Sequence, residues 1–471
     1  MEKFNRGFVY FICTVSALGG LLFGYDWVVI GGAKPFYEVY FGIADSPGQQ
    51  GLAMSIALAG CLVGAMLSGF LADRLGRKPL LIISAFIFLT SAYGTGAFDL
   101  FEAFLAIRFI GGIAIGIASG LSPMYIAEVA PSHIRGRLVS LNQLTIVLGI
   151  LGAQIVNYLI AEPMPAGTMI PPADSWNVQS GWRWMFWSAA FPAGLFLLLA
   201  CFIPESPRWL TMKGLRPQAE RILTNIGGAT YARKEIDAVM AGQAEAGERG
   251  GLRMLFSRRF RGVLILGVVT AVFQQWSGTN VIFNYAQEIF SDAGYDLGEM
   301  LFNIVLTGIT NVIFTFVAIY TVDRLGRKKL MLGGAGGLAI IYAVLGTCYY
   351  MEVTGFFMVI LVVLAIACYA MTLGPVAWVL IAEIFPNRIR AVGVAACTFA
   401  LWTGSFTLTY SFPLLNSALG SYGTFWIYAA ICAVGSLFFI VRLPETKGKS
   451  LEEIEKELTA DGGEQIMSTD F

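Results

Sequence analysis

The chain has 471 residues, of which 56% are hydrophobic and 13% charged, and its 31 basic and 31 acidic side chains cancel. Soluble domains carry about a quarter charged residues, so a water-soluble globule is excluded, and the neutral balance gives no footing for nucleic acid. A bilayer span needs about 20 apolar residues, and only helices or closed barrels satisfy their backbone groups in lipid. The apolar tracts here are long and uniform, without the alternation of a barrel. They predict an all-α membrane protein.

The first tract follows Lys3 and Arg6 as a secretory signal would, but it lacks a small-residue cleavage site and runs on through Phe23-Gly24-Tyr25-Asp26. It is read as a retained first span. Counting this one, twelve spans run in order at about 8–32, 51–72, 79–98, 103–126, 137–160, 183–203, 262–289, 300–322, 330–350, 355–382, 391–414 and 423–442. Between the sixth and seventh lies the one sizeable water-facing stretch, 205–261, with helix-forming patches at Pro217–Ile226 and Ala232–Ala246 broken by Gly227-Gly228 and Gly250-Gly251. This divides the chain into an N-terminal six-helix bundle (1–204), a cytoplasmic helical linker (205–261), a C-terminal six-helix bundle (262–443) and a cytoplasmic tail (444–471). In the tail, Ser450-Leu451-Glu452-Glu453 has the pattern of a capping box opening a short helix. All seven cysteines fall inside apolar tracts and read as small hydrophobes. The single histidine, His133, reads as a solvated loop residue. No metal-ligand spacing, nucleophile elbow or phosphate-binding loop is present, so neither a catalytic centre nor a cofactor is expected.

Charge placement gives the orientation. Arg74, Arg77 and Lys78 follow span two, Arg135 and Arg137 follow span four, Arg324, Arg327, Lys328 and Lys329 follow span eight, and Arg388 and Arg390 follow span ten. The alternate loops hold almost no basic residue apart from Lys34 and the boundary residue Arg183. By the positive-inside rule both termini and the middle stretch are cytoplasmic.

Internal repetition is the strongest organisational signal. Asp73-Arg-Leu-Gly-Arg-Lys78 recurs 250 positions later as Asp323-Arg-Leu-Gly-Arg-Lys328. Glu128-x-x-Pro-x-x-Ile-Arg135 recurs 255 positions later as Glu383-x-x-Pro-x-x-Ile-Arg390, and Pro204-Glu205-Ser206 answers Pro444-Glu445-Thr446. Each pair closes the same span of its half. Two parallel six-span halves are a transporter architecture, with the substrate site between them near mid-membrane.

With these repeats, Pro204-Glu-Ser-Pro-Arg-Trp209, Gln274-Gln-Trp-Ser-Gly-Thr-Asn280, Gly374-Pro-Val-Ala-Trp378 and Pro444-Glu-Thr-Lys-Gly448 make a set that resembles the sugar porter family of the major facilitator superfamily. The resemblance runs from Gly24 to Gly448 and implies a major facilitator fold that imports a monosaccharide, hexose or pentose, with a proton by alternating access. It implies a monomer in a bacterial inner membrane whose partners are sugar, proton and lipid bilayer. A proton-independent facilitator and a non-transporting sugar sensor are the alternatives; the short tail offers a sensor no signalling extension.

A neutral polyol needs donors and acceptors together, which amides supply, and aromatic faces to cover its C–H surface. Gln143, Gln274, Gln275, Asn280 and Trp378 meet that demand, and matching positions bind sugar in the family. Phe23 and Trp402 match further aromatic positions of the site, and Gly374, before Pro375, marks a weak point in span ten. Asn284 stands where the compared carriers have Tyr, and Leu401 where they have an amide. These departures, with Ile150 and Phe283, lean towards a hexose. Asp26 in span one and Arg108 in span four are ionisable groups at membrane depth, which are costly and face a partner or cavity. They resemble the Asp–Arg pair that couples protons to sugar in symporters; a permanent structural ion pair is the competing account. Asp73, Arg77, Glu128, Arg135 and Glu205 in one half, with Asp323, Arg327, Glu383, Arg390 and Glu445 in the other, match the family's cytoplasmic gate network.

Overall fold

The computed structural model describes residues 4–165, 167–168, 170–245, 252–386 and 389–447, with the side chains of 242–245, Leu252 and Asp323 outside the description. The capping-box pattern at Ser450 and the Gly250-Gly251 pair lie outside the described residues. The secondary structure among the described residues is helical, without a strand.

Among the described residues, eleven helical stretches are long and apolar enough to cross a membrane. They begin with α1 (Arg6–Phe41), α2 (Pro47–Leu75), α3 (Arg77–Ala97), α4 (Phe101–Val129) and α5 (Ser132–Ile160). The others are the sixth span Asn177–Ala200, the seventh Arg261–Asn284, then Leu297–Val322, Arg327–Tyr350, Phe356–Glu383 and Arg390–Arg442. The last has 53 residues and turns at Gly420 (φ 69°, ψ 171°), so it holds two of the twelve expected spans. A straight helix of that length would measure about 80 Å, far beyond a hydrocarbon core of about 30 Å. Between the sixth and seventh spans, Ser206 caps Pro207–Met212, and Arg216–Glu245 bends at Gly228 (φ 86°) where the sequence places a glycine break.

The chain separates into two compact units: Met1–Ala44, Ile56–Pro163 and Ile170–Glu248 in one, and Asp45–Ser55, Met164–Met169 and Arg249–Phe471 in the other. In the first, glycines let helix backbones touch. A Cβ on Gly24 of α1 would stand 1.9 Å from the carbonyl oxygen of Ile146 on α5, and one on Gly149 of α5 would stand 2.1 Å from that of Leu21. The same reciprocity joins α2 to α4. Gly60 and Gly64 lie against the carbonyls of Phe109 and Ile113, and Gly112 and Gly116 against those of Ala57 and Cys61. Small residues four apart on both partners are how membrane helices approach closely without a hydrophobic drive.

α1 differs from its sequence reading. It runs 36 residues, from an Asn5 cap to Gly42 (φ 67°), and so takes in Lys34, which the sequence assigns to a loop. Lys34 is instead buried at 2% exposure, its Nζ 2.8 Å from Glu38 Oε1. Nearby, Asp99 joins α3 to α4 and accepts from the Tyr40 hydroxyl (2.9 Å) and Arg183 Nη2 (2.6 Å). The Tyr40 hydrogen bond first, and then Arg183, hold its carboxyl below the ordinary value. His133 is exposed on the first turn of α5 with its ring 4.8 Å from that of Phe4.

The close α2–α4 approach has a direct test. Gly116→Val drives side-chain atoms into the Cys61 carbonyl, and overpacking of this kind costs about 1–3 kcal/mol. Size-exclusion of heated, detergent-solubilised protein is expected to show a melting temperature lowered by several degrees. Gly69→Ala, on α2 with nothing within 4 Å of its added Cβ, is expected to melt like wild type.

Candidate functional site

In the first unit, Arg108 Nη1 donates to Asp26 Oδ1 at 2.7 Å, and the two residues are 3% and 7% exposed. The guanidinium carbon lies 5.5 Å from the Phe186 ring centre, and Arg108 Nε has no acceptor among the described residues. The pair bridges α1 and α4, on helices fixed by the glycine contacts already described. One turn before Asp26, Phe23 stacks on Trp27 (centroids 5.4 Å apart, planes 10° apart). Gln143 on α5 is half-buried, and its amide makes no hydrogen bond among the described residues.

In the second unit the seventh span is not one helix. Arg261–Trp276 stops at Ser277, Gly278 takes φ 86°, and Thr279–Asn284 restarts before Tyr285 interrupts again. An added Cβ on Gly278 would lie 3.0 Å from the Tyr428 ring, so both the backbone angle and the space call for glycine. This break lets three amides meet. Asn280 Nδ2 donates to Gln275 Oε1, Gln275 Nε2 donates to Gln274 Oε1 (2.9 Å), and Gln274 Nε2 donates to the Gly374 carbonyl (3.2 Å). The tenth span breaks too, at Thr372 (φ −124°, ψ −87°), and Leu373–Glu383 restarts with Gly374 in its first turn. Pro375 has no N–H to continue the preceding helix.

The remaining expected residues stand apart from this chain of amides. Asn284 Nδ2 reaches Thr409 Oγ1 at 3.4 Å, and its buried Oδ1 has no partner among the described residues. Tyr285 donates its hydroxyl to the Thr409 carbonyl (2.6 Å). Trp402 is buried, and Trp378 is 41% exposed. Leu401 is buried beside Trp402 and brings no polar group.

The repeated motifs build the same cluster twice. Arg77 donates to both oxygens of Glu128, Nε to Oε2 and Nη2 to Oε1, each at 2.9 Å, and Nη1 reaches Asp73 (3.2 Å). Glu205 forms no ion pair with Arg77; it accepts from the backbone N–H groups of Arg77 (2.9 Å) and Lys78, capping α3. In the second half Arg327 Nη2 reaches Glu383 (3.0 Å), and Glu445 accepts from the backbone of Arg327 (2.9 Å) and Lys328. A carboxylate at a helix N-terminus meets unpaired N–H groups and a favourable dipole. The intervening glycines are required: Gly76 and Gly326 have φ 98° and 89°, and any Cβ would collide with Glu205 or Glu445.

Arg135 and Arg390 each reach back to the turn that precedes their helix. Their Nε atoms donate to the backbone carbonyls of Ala130 (3.3 Å) and Phe385 (3.2 Å), tying down the turn before each following helix. The side chain of Asp323 lies outside the described residues. Ser206 and Thr446, not singled out from the sequence, complete the clusters by donating hydroxyls to Glu128 and Glu383. Their signal was present as the hydroxyl shared by Pro-Glu-Ser and Pro-Glu-Thr. No group of three metal-ligating side chains occurs among the described residues.

Comparison with known proteins gives the family. The family described as "Sugar (and other) transporter" matches residues 12–458. The D-xylose-proton symporter of Escherichia coli (strain K12) is 38% identical over 483 aligned residues, covering 96% of each chain. The arabinose-proton symporter of Bacillus subtilis (strain 168) is 38% identical over 453 residues, covering 96% of this chain and 95% of that one. The inward-open structure of the xylose transporter XylE from E. coli superposes with a TM-score of 0.83 at 37% identity, over 96% of this chain and 100% of that one. The chain is a multi-pass membrane protein and belongs to the sugar transporter family.

Proposed function

We propose that this protein imports a monosaccharide, hexose or pentose, together with a proton by alternating access. The observation that carries the proton is the buried Asp26–Arg108 pair, 2.7 Å apart and away from solvent. Removing one charge from a buried ion pair leaves the other uncompensated, at about 3–5 kcal/mol. Protonation of Asp26 is such a removal, and Arg108 must then be rehydrated or find another acceptor. A rearrangement of α1 against α4 supplies that, and this is how protonation is tied to a change of conformation. The symport by the xylose and arabinose relatives supports the reading.

Sugar binding is assigned to the amides. Gln274, Gln275 and Asn280, joined in series and ending on the Gly374 carbonyl, present fixed donors and acceptors to ring hydroxyls. Gln143, with its amide unengaged, and the orphaned Asn284 oxygen offer further partners. Phe23, Trp378 and Trp402 supply aromatic surface. The clusters around Arg77 and Arg327 brace the cytoplasmic ends of each half, with Asp73, Glu128, Glu205, Glu383 and Glu445 supplying the acids. Arg135 and Arg390 hold the adjoining turns. The chain works as a monomer in a bacterial inner membrane, with both termini, the 205–261 linker between the two bundles, and the tail in the cytoplasm.

Two outcomes test this in proteoliposomes. Wild type is expected to accumulate labelled sugar above equilibrium under an inward proton gradient, while Asp26→Asn exchanges sugar without accumulation. Uptake indifferent to the gradient in wild type would make the protein a facilitator. Asn280→Ala leaves Gln275 Oε1 without its donor and is expected to weaken sugar binding about ten-fold, the effect of roughly 1.4 kcal/mol. Unchanged sugar affinity in a binding isotherm would remove Asn280 from the site.

A further inference from the structure

The charges of the chain cancel overall, but one short stretch carries a single sign. Arg253, Arg258, Arg259 and Arg261 fall within nine residues, and no acidic residue occurs in the sequence between Glu248 and Glu288. The linker before it is different, since its basic residues Arg221, Arg233 and Lys234 are interleaved with Glu220, Glu235 and Asp237. Like charges gathered without a counter-charge repel one another and attract an anion from outside.

The backbone fixes where these arginines stand. Leu252–Leu255 is a short helix, and Arg261 opens the seventh span. Between them Ser257 N donates to the Met254 carbonyl (3.0 Å), and Phe260 N and Arg261 N both donate to the Ser257 carbonyl (3.1 Å each). Leu255 and Phe260 are buried and pin this turn from within. All four arginines are exposed, and the Arg259 guanidinium carbon lies 5.4 Å from the centre of the Phe260 ring. The guanidinium groups of Arg253, Arg258 and Arg261 make no hydrogen bond or ion pair among the described residues. Beside them Phe256 is 68% exposed, and Met254 and Ile265 are exposed as well.

A span leaves the hydrocarbon core at its first residues, so the turn before Arg261 lies at the level of the lipid headgroups. An exposed aromatic ring at that level gains by entering the acyl boundary, while long arginine side chains keep their charge at the surface. A guanidinium is a planar fork that matches two phosphate oxygens, and a basic segment beside a span draws headgroups of negative net charge. We propose that Arg253, Arg258 and Arg261, with Phe256 as the apolar anchor, form a binding surface for an anionic phospholipid at the start of the seventh span. The bound lipid holds the first turn of that span at the membrane surface. The surface requires only that the seventh span crosses the membrane, and it is independent of the solute carried.

The test titrates the purified full chain with phosphatidylglycerol and, separately, with phosphatidylcholine of the same acyl chains, reading bound lipid by native mass spectrometry. Wild type is expected to bind the anionic lipid about ten-fold more tightly or better. Arg253→Gln, Arg258→Gln and Arg261→Gln together are expected to abolish that preference at an unchanged melting temperature. Arg221→Gln, Arg233→Gln and Lys234→Gln together remove the same charge from the linker and are expected to keep it. Equal affinity of wild type for the two lipids would overturn the proposal, and is the result if the acidic tail residues Glu452, Glu453, Glu455 and Glu457 take the arginines instead. A preference that survives in the first variant, or is lost equally in the second, would also overturn it, because the attraction would then lie elsewhere or in net charge alone. So would soluble glycerol phosphate binding as tightly as the lipid, which would leave Phe256 and the acyl chains no part.

Discussion

Two opposite charges shut away from water between α1 and α4 are the constraint around which the first half is built. Asp26 and Arg108 satisfy each other at 2.7 Å, and neither is stable in that place alone. Each helix that carries one of them is clamped to a neighbour through glycines, α1 to α5 and α4 to α2, so both charges sit on elements fixed by backbone contact. The stacked Phe23 and Trp27 lie within one turn of Asp26 on an adjacent face of α1. A charge change at Asp26 thus acts on a rigid element and not on a loop.

The second half solves a different problem, the display of neutral donors and acceptors. Its seventh and tenth spans are interrupted at Ser277–Gly278 and at Thr372, and the interruptions free side chains and a carbonyl that a continuous helix would hide. The amide series from Asn280 to Gly374 depends on both breaks. Away from the membrane centre, the two halves return to one design: a glycine with positive φ, a carboxylate capping the next helix, and an arginine reaching a second carboxylate that a hydroxyl also touches. The equivalent clusters around Arg77 and Arg327 give each half a firm end, while the interiors differ, with a buried ion pair in the first and a series of amides in the second.

Much of this was legible in the sequence because it was written twice. The Asp-Arg-Leu-Gly-Arg-Lys repeats located equivalent helix ends, and the amides of span seven stood out because isolated polar groups are costly in a membrane. What periodicity could not supply was continuity. α1 extends past its apolar tract, because Lys34 and Glu38 neutralise each other inside the helix, so a charge taken for a loop marker is part of the span. Arg135 and Arg390 look like ion-pair partners from their motif, yet they bond to carbonyls, since the turn preceding each helix leaves those acceptors nearer. The break in span ten falls at Thr372, before Gly374-Pro375, because a proline disturbs the turn that precedes it.

Coupling is the central claim, and charge movement reports it most directly. A sugar concentration jump on proteoliposomes adsorbed to a solid-supported membrane, at equal pH on both sides, isolates the charge carried with the sugar. If Asp26 and Arg108 link proton to sugar, the jump drives a transient current of positive charge in the direction of the sugar. Sugar flux of normal size without that current would contradict the account and leave the pair as a structural fastening.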